Sequence, residues 1–145
     1  MLIAHVMIGA PGSGKSTSAS TLAAMFGSVV VSTDAVRGQL WGDESVQGDW
    51  AEVSREVNRL VRRAAASGRN VVLDATHAKR AYRRRAVEML RESGYESVVP
   101  MLVHPPLETC LGRNERRERV VPADVVERMW RAIEQNKNDI QQDFE

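Results

Sequence analysis

Cysteine is nearly missing from this sequence. The single Cys110 excludes a disulfide framework and a cysteine-based zinc site. It falls in a helical stretch and reads as a small buried hydrophobe. Long apolar runs are missing too. The run from Leu2 to Ile8 is far short of the roughly 20 residues a membrane span needs, and it has no signal-peptide layout. The expectation is therefore a cytoplasmic protein with no membrane partner. Neither sign of charge dominates: the net charge is +1, so any preference for nucleic acid has to come from local clusters. No internal repeat or low-complexity tract is visible. What is there, 145 residues at 43% hydrophobic and 27% charged, is one domain's worth of ordinary globular chain with enough length for a single core.

The rest of the chain is organised around Gly9-Ala10-Pro11-Gly12-Ser13-Gly14-Lys15-Ser16-Thr17, a G-x-x-x-x-G-K-S pattern. A buried-strand run precedes it, and a helix-compatible stretch from Ser18 to Phe26 follows, stopped by Gly27. Glycines let successive amide N–H groups turn inward toward phosphate oxygens, and the loop feeds a helix N-terminus, where orphan donors and the dipole favour an anion. Lys15 adds a positive charge for the β- and γ-phosphates, and Ser16 offers a hydroxyl to Mg²⁺.

Three further strands are predicted: Ser28–Ser32, Asn70–Leu73 and Ser97–Val103, alternating with helices in the manner of a doubly wound α/β sheet. In such sheets ligands sit beyond the carboxyl ends of the strands. That places Asp34 and Arg37, after the second strand, and Asp74, after the third, near the glycine loop. Each aspartate also fits a helix N-cap; Asp74 equally fits a partner for Mg²⁺ or its waters. Pro100 lacks an N–H and belongs on a sheet edge or at a bulge. A short helix and surface loop are expected over Gly38–Gly48. Trp41 and Trp50 could stack on a base, although aromatics at helical spacing more often serve the core. His77 has no metal-ligand companion and reads as a surface histidine. Lys79, Arg80, Arg83, Arg84 and Arg85 crowd a helix start, where cations are unfavourable, so they form either a solvated face or a seat for something anionic. Arg113, Arg116, Arg117 and Arg119 lie between two helices, the last of which carries Val125, Val126, Met129, Trp130, Ile133 and Ile140 on one face. Such a segment fits a lid over transferred phosphate, or a salt-bridged surface with Glu115 and Glu118.

Taken together, the Gly9–Thr17 loop, Ser32-Thr33-Asp34 with Arg37, Asp74-Ala75-Thr76 and Arg113-Asn114-Glu115-Arg116-Arg117 resemble the P-loop kinase module of phage and bacterial polynucleotide 5′-kinases, the kinase half of end-healing RNA and DNA repair enzymes. The resemblance implies a P-loop NTPase fold over residues 1–145: a four-stranded parallel sheet flanked by helices, with an arginine-rich lid at about 113–122. It implies ATP, or another NTP, held by Gly12, Ser13, Gly14, Lys15, Ser16, Thr17, Arg113 and Arg117, and Mg²⁺ at Ser16 and Asp74. Asp34 would be the general base on the acceptor 5′-hydroxyl, Arg37 would hold an acceptor phosphate, and Asp74 would support the acceptor or metal region. Lys15, Asp34, Arg37 and Arg117 form the implied catalytic set. The implied partner is a single-stranded or end-exposed DNA or RNA with a 5′-OH. No phosphatase or ligase segment accompanies the kinase, so end healing would need separate proteins. His77 departs from the family, where Asn is common. Two other readings stay open: a small-metabolite or nucleoside kinase on the same fold, and a non-catalytic nucleotide-binding switch or an NTPase; a switch needs no base at Asp34.

Overall fold

The computed structural model describes residues 1–42 and 48–145. Four strands, β1 (Ile3–Ile8), β2 (Val29–Ser32), β3 (Val71–Asp74) and β4 (Ser97–Leu102), form one parallel sheet in the order β2-β3-β1-β4. The helices are α1 (Lys15–Phe26), α2 (Thr33–Trp41), α3 (Trp50–Ala66), α4 (Arg80–Glu92), α5 (Leu107–Glu115) and α6 (Ala123–Asn136), and a 3₁₀ turn spans Ile140–Phe144. The α/β architecture is the expected one. The short helix near Gly38 starts earlier than expected, at Thr33, and residues 43–47 of the expected surface loop lie outside the described residues.

Strand alternation sorts side chains to the two faces of the sheet. Ala4, Val6, Ile8, Val31, Val71 and Leu73 meet Val53, Val57 and Val61 of α3 and Val87 and Leu90 of α4 in the larger core. Met7 and Val72 point the other way, onto Ala19 of α1. Each such aliphatic side chain contributes roughly 1.5–3 kcal/mol when fully buried. Asp49 starts α3 by accepting from the Ala51 amide at 2.9 Å, and a valine every fourth residue keeps one stripe of that helix on the sheet.

Among the described residues, Pro100 lies on β4, an edge strand paired with β1 alone. The Ser97 amide donates to Leu2 O, just ahead of β1, and the Val103 amide to Ile8 O of β1. Odd-numbered amides therefore face the neighbour and even-numbered positions face outward, so the missing donor of Pro100 falls on the unpaired side.

The expectation of one continuous final helix fails. The helix stops at Asn136, and Ile140 belongs to the separate 3₁₀ turn, which buries Ile140 and Phe144 in the larger core. That turn also answers the question posed by three of the cations at the start of α4. Arg83 is only 1% exposed and donates from Nε to Asp143 Oδ2 at 2.8 Å and from Nη1 to the carbonyls of His77 and Ala78 at 3.1 Å. Arg80 donates to Asp143 Oδ1 at 2.7 Å, and Arg84 lies 3.4 Å from the same oxygen. The anion that offsets these arginines is the chain's own carboxylate. Burial would push the Asp143 carboxyl up, but hydrogen bonds from Arg80 and Arg83 outweigh it and hold the group below its ordinary value.

Candidate active site

The strand order sets the site. The glycine loop follows β1, Asp74 ends the adjacent β3, and Asp34 follows β2, the next strand out. Ser32 pairs with Asp74 in register, so β2 and β3 end level. All three features therefore meet along one carboxyl edge of the sheet, as open α/β topology requires.

The loop is held open by its glycines and braced by α5. Gly12 and Gly14 have φ of 81° and 93°, in the region that side chains avoid. A Cβ on Gly12 would stand 2.2 Å from Cys110 O, so α5 packs directly on the loop. Arg113, on the same helix, donates from Nη1 to Ser13 O at 3.0 Å. Cys110 is buried, as expected, and burial pushes its thiol pKa up. Gly14 caps α1 without a side chain, and the first turn of that helix carries no acidic residue. Its leading amides thus form an anion seat.

Beside this seat, Ser16 Oγ donates to Asp74 Oδ2 at 2.9 Å, and Lys15 Nζ lies 3.6 Å from Asp74 Oδ1. Asp74 caps no helix; Lys79 holds the N-cap position of α4. Buried Asp74 Oδ1 and Ser13 Oγ have no hydrogen-bond partner among the described residues. An unsatisfied carboxylate oxygen beside a serine hydroxyl fits Mg²⁺, a hard cation that prefers oxygen donors. No group of three or more acidic, His or Cys side chains among the described residues could cage a metal unaided. That suits an ion held by one carboxylate together with nucleotide phosphates.

Asp34 is not the cap of α2 either. Ser32 Oγ accepts from the Ala35 amide at 3.2 Å and does that work. The Asp34 carboxylate is left to receive Arg37 Nη1 at 3.2 Å on Oδ1 and Arg119 Nη2 at 2.8 Å on Oδ2. Arg119 comes from the segment joining α5 to α6. Asn114 ties the base of that segment, donating from Nδ2 to Val121 O at 2.7 Å and accepting from the Val121 amide at 3.1 Å. Arg119 is the arginine of this segment that reaches Asp34. Sequence reasoning placed it in the lid without giving it a role. Arg117 and Arg119 both line a cavity of about 920 Å³ that also touches Lys15, Asp34, Asp74 and Trp50.

Two single-residue expectations change. His77 is buried rather than on the surface. It holds a left-handed φ of 47° and donates from Nδ1 to Met7 O at 2.7 Å. Burial pushes its pKa down, and the bond to Met7 only partly opposes this, so the ring is neutral at pH 7. Trp41 packs partly against the core, but Trp50 is 51% exposed at the cavity wall, with Arg37 Cζ 5.8 Å from its ring centroid. Thr17, within α1, completes the glycine-loop set.

No helix among the described residues is long and apolar enough to cross a membrane. No curated protein sequence matches the chain. Among solved structures, a chain of the Pnkp1/Rnl/Hen1 RNA repair complex superposes with a TM-score of 0.83 at 22% identity over 94% of this chain. The present chain spans only 45% of that protein's length. A gluconokinase from Sinorhizobium meliloti 1021 superposes at 0.60, with 22% identity over 94% of this chain and 77% of its own. The AvrRxo1-ORF1:-ORF2 complex with ATP gives 0.75, with 16% identity over 99% of this chain and 51% of the other. These likenesses establish the fold, a P-loop kinase-like one. The model of the AAA domain family (AAA_33) matches residues 5–137, nearly the whole sequence, and the chain belongs to that family.

Proposed function

We propose that residues 1–145 form one kinase domain that transfers the γ-phosphoryl group of ATP to the 5′-hydroxyl end of DNA or RNA. The observation that carries this reading is the Asp34 carboxylate, fixed on the wall of the cavity that Lys15 also lines and freed from any capping duty. A nucleotide-binding switch has no use for a base there. Lys15 and the leading amides of α1 bind and orient the transferring group. Asp34 accepts the proton from the acceptor hydroxyl as the new O–P bond forms and the bond to the departing diphosphate breaks. Arg113 and Arg117 neutralise charge on the donor phosphates, and Arg37 holds a phosphate of the acceptor strand. Arg119 must release Asp34 Oδ2 before that oxygen can take a proton, which couples lid movement to chemistry. When bound, Mg²⁺ neutralises phosphate charge; Ser16 and Asp74 would hold it.

A second reading, a small-metabolite kinase, is favoured by the gluconokinase that shares this fold at the same identity as the RNA repair protein. Incubation with γ-labelled ATP, with and without a 5′-hydroxyl oligonucleotide, separates these readings. Label on the oligonucleotide is the expected result. Labelled free phosphate alone identifies an NTPase. Label passing only to a sugar acid or nucleoside identifies the metabolite kinase.

A further inference from the structure

One face of α3 extends past the core and into the cavity. Trp50, Ser54, Val57 and Asn58 all line it, at the spacing i, i+4, i+7, i+8 of a single helical stripe. Val57 is buried in the core, but the other three are not. Ser54 and Asn58 are half-buried, and their side chains have no hydrogen-bond partner among the described residues. Trp50 leaves half its surface to solvent on a helix whose neighbouring stripe residues are aliphatic and covered. An exposed indole backed by an arginine is a stacking surface. An unpartnered hydroxyl one turn further along and a carboxamide two turns along can donate to and accept from the edge of a planar ring.

Contacts connect this stripe to the reacting end. Arg37 lies over the Trp50 ring at 5.8 Å, and the same guanidinium donates to Asp34 Oδ1 at 3.2 Å. We infer that Trp50, Ser54 and Asn58 form the binding face for the heteroaromatic base of the acceptor's terminal nucleoside, with Trp50 stacking on the base and Asn58 and Ser54 bonding to its edge. The inference rests on the 5′-hydroxyl kinase reading and sharpens it: the site selects an acceptor with a flat ring beside its hydroxyl. An open-chain polyol would leave the indole uncovered and gain nothing from stacking.

The test compares steady-state kinetics of wild type, Trp50→Ala and Trp50→Phe on two 5′-hydroxyl oligonucleotides, one with a normal first base and one abasic at that position. Stacking on an aromatic predicts that Trp50→Ala raises KM for the normal end roughly ten-fold and moves kcat far less. Trp50→Phe should recover most of the loss, and the abasic end should show no difference among the three proteins. Equal KM values in wild type and Trp50→Ala on the normal end would overturn the inference. So would an equal rise on both substrates, because the loss would then come through Arg37 rather than the base. Thermal melts of each variant establish that it is folded. If wild type labels no oligonucleotide at all, the polynucleotide reading falls by itself. Calorimetric titration with adenosine then decides the stacking face: binding that Trp50→Ala abolishes supports it, and no binding, or binding the variant keeps, rejects it.

Discussion

In the proposed kinase, Asp34 and Lys15 would act through position rather than unusual burial. Asp34 stands between two arginines at 3.2 and 2.8 Å, and Lys15 lies 3.6 Å from Asp74. Replacing either Asp34 or Lys15 by Ala should lower phosphoryl transfer about 100-fold or more, the usual scale for losing a general base or a preorganised charge. Circular dichroism and the melting temperature should hardly change, because neither side chain belongs to the core. Both residues were legible from the sequence, because a glycine loop and strand-end acids are local patterns. His77 was not. Nothing next to it in the chain announces the Met7 carbonyl that captures its ring, which lies in a different strand. Because burial holds the folded-state pKa of His77 down, the unfolded chain binds that proton first as pH falls below about 6.5. This part of the stability is present at neutral pH and lost on acidification through that region. His5, also pushed down by burial, adds a slope of the same sign. Urea unfolding at pH 7.5 and 5.5 should show wild type losing stability, and His77→Asn losing less of it.

Whole elements were easier to read than their ends. Strand periodicity and glycine stops located β1 to β4 to within a residue or two, whereas the break after α6 at Asn136 carries no Gly or Pro. What ends that helix is tertiary: Ile140 and Phe144 are needed in the core, and Asp143 is needed by Arg83. The same pairing explains why an arginine-rich helix start could not be assigned from sequence alone, since Arg83 and Asp143 are 60 residues apart. Taking one partner from a buried pair leaves an uncompensated charge, which costs about 3–5 kcal/mol. Arg83→Met and Asp143→Leu should therefore each lower the melting temperature by roughly ten degrees. The double variant should recover much of the loss, because two apolar groups leave no stranded charge. In acid, the contribution of Asp143 should be complete above the ordinary carboxylate value near 4 and fade as pH falls below it, since its folded-state pKa is depressed. Unfolding midpoints between pH 5 and 2 measure that loss.

At the scale of the molecule, a net charge of +1 gives no global attraction to a polyanion, so affinity for a strand end has to arise at the cavity mouth. Arg37, Arg85, Arg117, Arg119 and Arg128 all line that cavity. Each phosphate they neutralise releases counterions, so KM for an oligonucleotide should rise steeply between 50 and 200 mM salt while KM for ATP changes less. A flat salt response for the oligonucleotide would favour the small-acceptor reading. The sheet edge at β4 carries a different consequence. Among the described residues the parallel sheet has four strands, and its outer rim offers a passing extended segment a template. With Pro100 presenting a ring in place of a donor on that rim, a fifth strand from another molecule would lose a rung at the middle of its ladder. The proline thus works as a guard against self-association during crowding or partial unfolding, and Pro100→Val would be expected to form aggregates at concentrations where the parent chain stays clear.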